Sequence, residues 1–166
     1  MTIETYKEIF IECLETFDFV RPYLDMDAEY KNRDYSNLVK EKIAIGDVKK
    51  KLKEVFPKYS ISNQHGGIYL RQKINNLFVS FFFKFNGNIF QPYYNIYLEE
   101  EKFENSINQN SSGSAICRYL LKDNEYPMKA KIFSNVLELV HLIKNEVLFF
   151  EKFTLEYIKK VSEKEV

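Results

Sequence analysis

From Gly67 to Glu99 the chain alternates with a period of two, and no other feature restricts its fold as much. Ile68, Leu70, Gln72 and Ile74 alternate with Tyr69, Arg71 and Lys73. Leu77, Val79, Phe81, Phe83 and Phe85 then form an apolar face opposite Phe78, Ser80, Phe82 and Lys84. Successive side chains of a strand point to opposite faces, so this spacing specifies strands with one buried side. Asn75-Asn76 and Asn86-Gly87-Asn88 divide the run. Both residue types tolerate the positive φ that tight hairpin turns need. The last piece, Ile89 to Leu98, carries Phe90, Tyr94, Ile96 and Leu98 on one side and Tyr93, Asn95 and Tyr97 on the other. The spacing predicts an antiparallel meander of at least three strands over 67–99. The second strand is expected at its centre, because it is the most apolar on both faces. Pro92 cannot donate to a ladder, which puts the third strand at an edge or marks a bulge.

Helical periodicity brackets the sheet. Ile3, Tyr6, Ile9, Phe10, Cys13, Leu14 and Phe17 recur at steps of three and four. Thr2 or Thr5 is placed to cap this helix, and Pro22 is expected to stop it with Arg21 extended. Asp25 to Asp34 reads as a loop or short helix. A second helical region is predicted over about Tyr35–Phe56, broken at Gly46-Asp47 and ended by Pro57. Its basic run, Lys49-Lys50-Lys51 with Lys53, falls on the outward face. Ser114–Leu121 is a short helix and Met128–Phe133 an extended piece. Ser134 then caps a final helix, whose stripe runs from Val136 and Leu137 through Phe150 and Phe153 to Val161, with Ser162–Val166 fraying. Helices (1–56), then a sheet (67–99), then a long helix (134–161) make one domain over 1–166. Segregated runs of this kind specify the α+β class, with the last helix packed on the sheet.

Charge narrows the partners. Lys plus Arg and Asp plus Glu each number 24 in 166 residues, so the net charge is zero. A general nucleic-acid binder or polybasic membrane protein needs a positive excess, so neither is expected. Met1–Thr5 lacks the basic start and apolar run of a signal peptide, and no stretch reaches membrane-spanning length. Two cysteines, Cys13 and Cys117, are too few for a disulfide framework. A cytoplasmic chain with reduced thiols is the expectation.

Each catalytic spacing lacks its complement. Glu138 and His141 have the E-x-x-H spacing of helical metal sites, but a second copy and further glutamates are missing. His65-Gly66-Gly67 resembles an oxyanion loop, but no G-x-S-x-G follows. Asp25 and Asp27 could chelate a cation, yet no glycine-bearing loop accompanies them. Cys117 has no histidine nearby, and no phosphate loop is present. Leu77 to Phe83 resembles the aromatic strand of an RNA-binding sheet without its glycines or basic lead residue. No catalytic residue, metal or cofactor is therefore expected. An enzyme built from scattered residues such as His65, His141, Asp25 and Asp27 is the alternative, as is a self-associating adaptor domain. One constellation does suit a binding role. Tyr93 and Tyr97 are amphipathic anchors beside an acidic stretch, Glu99, Glu100, Glu101 and Glu104. Asp25, Asp27 and Glu29 form a second acidic patch.

The second half also resembles small bacterial immunity proteins of contact-dependent inhibition and other polymorphic toxin systems. The resemblance covers about 67–150 and lies in the order of features. An apolar hairpin leads into Ile89-Phe90-Gln91-Pro92-Tyr93-Tyr94-Asn95-Ile96-Tyr97-Leu98, followed by a polar loop, Tyr126-Pro127, Ile132-Phe133-Ser134 and a helix opening Val136-Leu137-Glu138-Leu139. It implies a cytosolic, non-catalytic inhibitor that binds one cognate protein toxin, as a monomer or weak dimer.

Overall fold

A computed structural model describes all 166 residues. The chain runs α1 (Ile3–Thr16), α2 (Val20–Asp25), α3 (Ala28–Lys31), α4 (Ile45–Val55), β1 (Ser60–Gln64), β2 (Gly67–Ile74), β3 (Leu77–Asn86), β4 (Ile89–Leu98), α5 (Gly113–Leu121), β5 (Lys131–Ile132) and α6 (Val136–Glu165). The class is α+β, as the period-two core between helical runs predicts. All strand pairs are antiparallel, in the order β1-β2-β3-β4-β5, and β3 is central. The two strands beyond the predicted meander are β1 and the two-residue β5. His65 and Gly66, both at positive φ, turn β1 into β2 as a tight hairpin.

Pro92 lies opposite Phe83 within β4. The amides of Tyr94 and Ile96 point away from β3, to Ser111 O at 2.8 Å and Asn108 Oδ1 at 3.0 Å. Pro92 shares their parity, so its missing N–H falls on the outward row and costs no ladder bond. The segment 106–111 takes the place of a neighbouring strand there, with bridges at Tyr94–Ser111 and Tyr97–Ser106.

The core lies on one side of the sheet. Ile68, Leu70, Val79, Phe81, Phe83, Tyr94 and Ile96 are buried beneath α6. Phe150 of α6 stacks on Tyr94 at 4.2 Å between ring centroids. On its other side α6 meets α1, where Phe10 packs edge-on to Phe153 at 5.3 Å and Tyr157 donates its hydroxyl to Tyr6 O. Each fully buried large side chain contributes roughly 1.5–3 kcal/mol, so this aromatic layer holds the helices to the sheet.

Several local expectations are corrected. Pro22 does not stop α1, which ends at Thr16. It sits instead in the first turn of α2, where an N–H has no helical partner to lose. Only 45–55 of the predicted 35–56 helix is helical apart from a single 3₁₀ turn at Tyr35–Asn37. Val39 is 83% exposed and only Ile43 of its stripe packs on the core, while Glu41 N donates to Ser134 O. Gly46 and Asp47 lie inside the first turn of α4 and mark no break. Thr2 caps α1. The α6 cap is Asn135, one residue beyond Ser134, and it accepts from Glu138 N at 3.0 Å. The C-terminal turn expected to fray is helical through Glu165, with Lys164 2.7 Å from Glu12 and Tyr6 donating to Glu165.

Candidate functional site

The second face of the sheet carries no helix. Register sets Tyr69, Phe82 and Tyr93 side by side across β2, β3 and β4. Their rings stack, Tyr69 on Phe82 at 4.3 Å and Phe82 on Tyr93 at 6.0 Å, and all three are half-buried. No ring of α1, α2 or α6 lies within stacking distance of them. The rings cover one another's faces, so their edges form the accessible surface. That geometry does not suit the base-stacking of an RNA-binding sheet, where ring faces are free. Gly67 makes room for the stack, since a Cβ there would sit 2.4 Å from Phe82 Cε2.

The next rung is polar: Arg71, Ser80 and Asn95. Ser80 and Asn95 are buried even though they face outward. Asn95 Oδ1 accepts from Ser106 Oγ at 2.7 Å, and its Nδ2 donates to the Tyr97 hydroxyl at 2.7 Å. Burial raises the Tyr97 hydroxyl above its ordinary pKa, with Glu101 adding to the effect. The Arg71 guanidinium lies 5.0 Å over the Tyr69 ring. Its Nε is 3.2 Å from Glu101 Oε2, an ion pair without hydrogen-bond alignment. The third rung sets Lys73 beside Phe78 and Phe78 beside Tyr97.

The structure brings most of the leading constellation to this face and redistributes the rest. Tyr93 and Tyr97 are half-buried on it. Glu101 meets Arg71, and Glu100 pairs with Lys102. Glu99 ends β4 at a φ of 65° and bonds through its amide to Asn76 O. Glu104 lies in a 3₁₀ turn and is exposed. Two of the four glutamates therefore already face a cation, which moderates the acidic stretch. Tyr69, Phe82, Arg71 and Ser106 join the face through strand register and the return of 106–111, neither of which residue spacing alone conveys.

The second acidic patch is corrected. Asp25 and Glu29 are exposed, but the Asp27 side chain is 1% exposed. It lies 3.0 Å from the buried Lys131 ammonium, which also sits 3.4 Å from Glu146. Tyr23 donates to Glu146 at 2.8 Å, and Asn145 donates to Asp27 at 2.6 Å. Burial pushes Glu146 above the usual carboxylate range, against the pull of Lys131. The hydroxyl of Tyr23 is driven up by the same burial. Asp27 thus belongs to the internal frame joining α2, β5 and α6.

Glu138 is not a solvated helix residue. Arg33 grips it bidentately, with Nη2–Oε1 at 2.8 Å, and the Ser134 amide and hydroxyl also donate to it. The arginine holds its carboxyl down at about 2. His141 turns instead to Asn145 at 3.1 Å, so Glu138 and His141 do not converge on one point. His65 occupies the β1–β2 turn and bonds to none of the other scattered candidates. Cys13 and Cys117 are buried, and burial pushes each thiol up to about 11, which keeps both in the unreactive protonated form.

No family model, curated protein or solved structure matches this chain. No helix is long and apolar enough to cross a membrane.

Proposed function

We propose that this chain is a cytoplasmic, non-catalytic immunity protein that binds a cognate protein toxin through the helix-free face of its sheet. The observation that carries the proposal is the Tyr69–Phe82–Tyr93 stack beside Arg71, on a rung completed by the buried Ser80 and Asn95. Protein interfaces favour rigid aromatic and arginine anchors at the centre with polar groups around them. Here the anchors stand on three paired strands, so little side-chain freedom remains to be lost on binding. Tyr97, Glu101 and Lys73 supply polar and charged contacts next to them, and the exposed Glu99, Glu100 and Glu104 offer complementarity to a basic rim.

The test is a stoichiometric titration against a toxin domain encoded beside this chain. Inhibition should be complete at one equivalent and should scale with the amount of chain added. Inhibition by a small fraction of an equivalent would mark turnover and contradict a binding role. No inhibition at excess would contradict the proposal outright.

A further inference from the structure

A cavity of about 430 Å3 opens on the opposite, helix-covered side of the sheet, between the end of α4, β2–β3 and α6. Its apolar wall includes Val55, Tyr59, Ile74, Val79, Leu148 and Leu155. Leu148 and Leu155 lie two turns apart on α6 and are 39% and 64% exposed, so this strip of the helix is uncovered by α1 or by the sheet. Glu151 stands between them on the same helix face and is half-buried. Its Oε1 accepts from the Tyr59 hydroxyl at 2.8 Å, whereas its Oε2 makes no hydrogen bond. Tyr59 is thereby fixed as a donor, and burial beside the carboxylate raises its hydroxyl pKa. Thr154 is committed elsewhere, donating to Phe150 O and paired with the Tyr94 hydroxyl. Gln72 is half-buried at the wall and Lys58 is exposed. The charged side chains on the wall are thus the exposed Lys58 and the half-buried Glu151, whose carboxylate keeps one oxygen unbonded.

We infer that this cavity is a binding site for a small apolar cation, an amine whose hydrocarbon part fills the apolar wall while its ammonium meets Glu151 Oε2. Ligand sites of a few hundred Å3 are mostly apolar with a few placed polar groups, and this one matches that chemistry. An ammonium donates to the free oxygen without displacing Tyr59. A carboxylate of the same length would set two negative charges together in a partly desolvated site. The site is separate from the Tyr69–Phe82–Tyr93 face and does not depend on the proposed toxin.

The probes are phenethylammonium and 3-phenylpropionate, titrated into the full chain while methyl resonances are followed. Phenethylammonium should shift the methyls of Leu148, Leu155 and Val79 saturably. The carboxylate should bind at least about tenfold more weakly, as expected for losing a charge-assisted hydrogen bond. Glu151→Gln keeps an acceptor for Tyr59 and should cut amine affinity by about tenfold with the melting curve unchanged. Should Glu151→Gln unfold, Leu155→Gln at an exposed position removes one apolar wall and should likewise weaken the amine. Equal affinity for both probes, or no saturable shift at these methyls, would overturn the inference.

Discussion

Single residues set how this protein responds to pH. Glu138 has a folded-state value of about 2 against an ordinary 4.5. A carboxyl lowered by folding contributes stability above its ordinary value and loses it as pH falls through the folded one. The Glu138 carboxylate, held by Arg33 and Ser134, should therefore contribute about 3 kcal/mol near neutrality and lose it between about pH 4.5 and 2. Urea unfolding of Glu138→Gln should show that deficit at pH 7 and close it by about pH 2; a deficit independent of pH would contradict the pairing. Glu146 runs the other way. Its value is raised by burial, so its contribution is present in acid and lost as pH rises through the folded value. Lys131→Met strands two buried carboxylates, Asp27 and Glu146, and should cost about 3–5 kcal/mol at neutral pH. Acidification should lessen that cost, since the protonated Glu146 needs no counter-charge. Neither arrangement was legible in the chain. Arg33 and Glu138 are 105 residues apart, as are Asp27 and Lys131 to within one, and only the folded topology joins them.

Elements were legible where the sequence period matched the burial. β2, β3 and β4 follow from strict alternation and two asparagine-rich turns, and α1 and α6 from long apolar stripes. β1 was missed because Ser60–Gln64 carries one buried apolar residue, Ile61, and is a strand only by pairing with β2. The false helix over 38–44 came from an apolar stripe of which only Ile43 reaches the core, while Val39 stands 83% exposed. Two glycines show how tightly the elements meet. A Cβ on Gly67 would lie 2.4 Å from Phe82 and 2.5 Å from Phe83 O, and one on Gly113 would lie 2.0 Å from the Tyr23 ring. Tyr23 cannot yield without breaking its bond to Glu146. Gly67→Ala and Gly113→Ala should each destabilise by about 1–3 kcal/mol, although alanine normally favours a helix such as α5. Thermal unfolding of Gly113→Ala reads this directly, and a rise in Tm would contradict the packing.

At the scale of the whole molecule, zero net charge conceals an ordered distribution. The basic run of α4 stays on the outward face, and the acidic end of β4 lies beside Arg71. The face proposed for binding was half legible. Tyr93 and Tyr97 stood out as leftover aromatics, while Tyr69, Phe82 and Arg71 joined them only once register was known. Alanine at Phe82 or Tyr93 should weaken toxin binding by about 2 kcal/mol or more, roughly thirtyfold, while leaving the helical core intact. The most direct test of a toxin-binding sheet face is amide hydrogen exchange of the chain alone and in complex with its toxin. Protection gained across 67–73, 78–84 and 91–104, with α1 and α6 unchanged, is the predicted result. A complex that forms with its protection on α1, α4 or α6 and none across the sheet would contradict it.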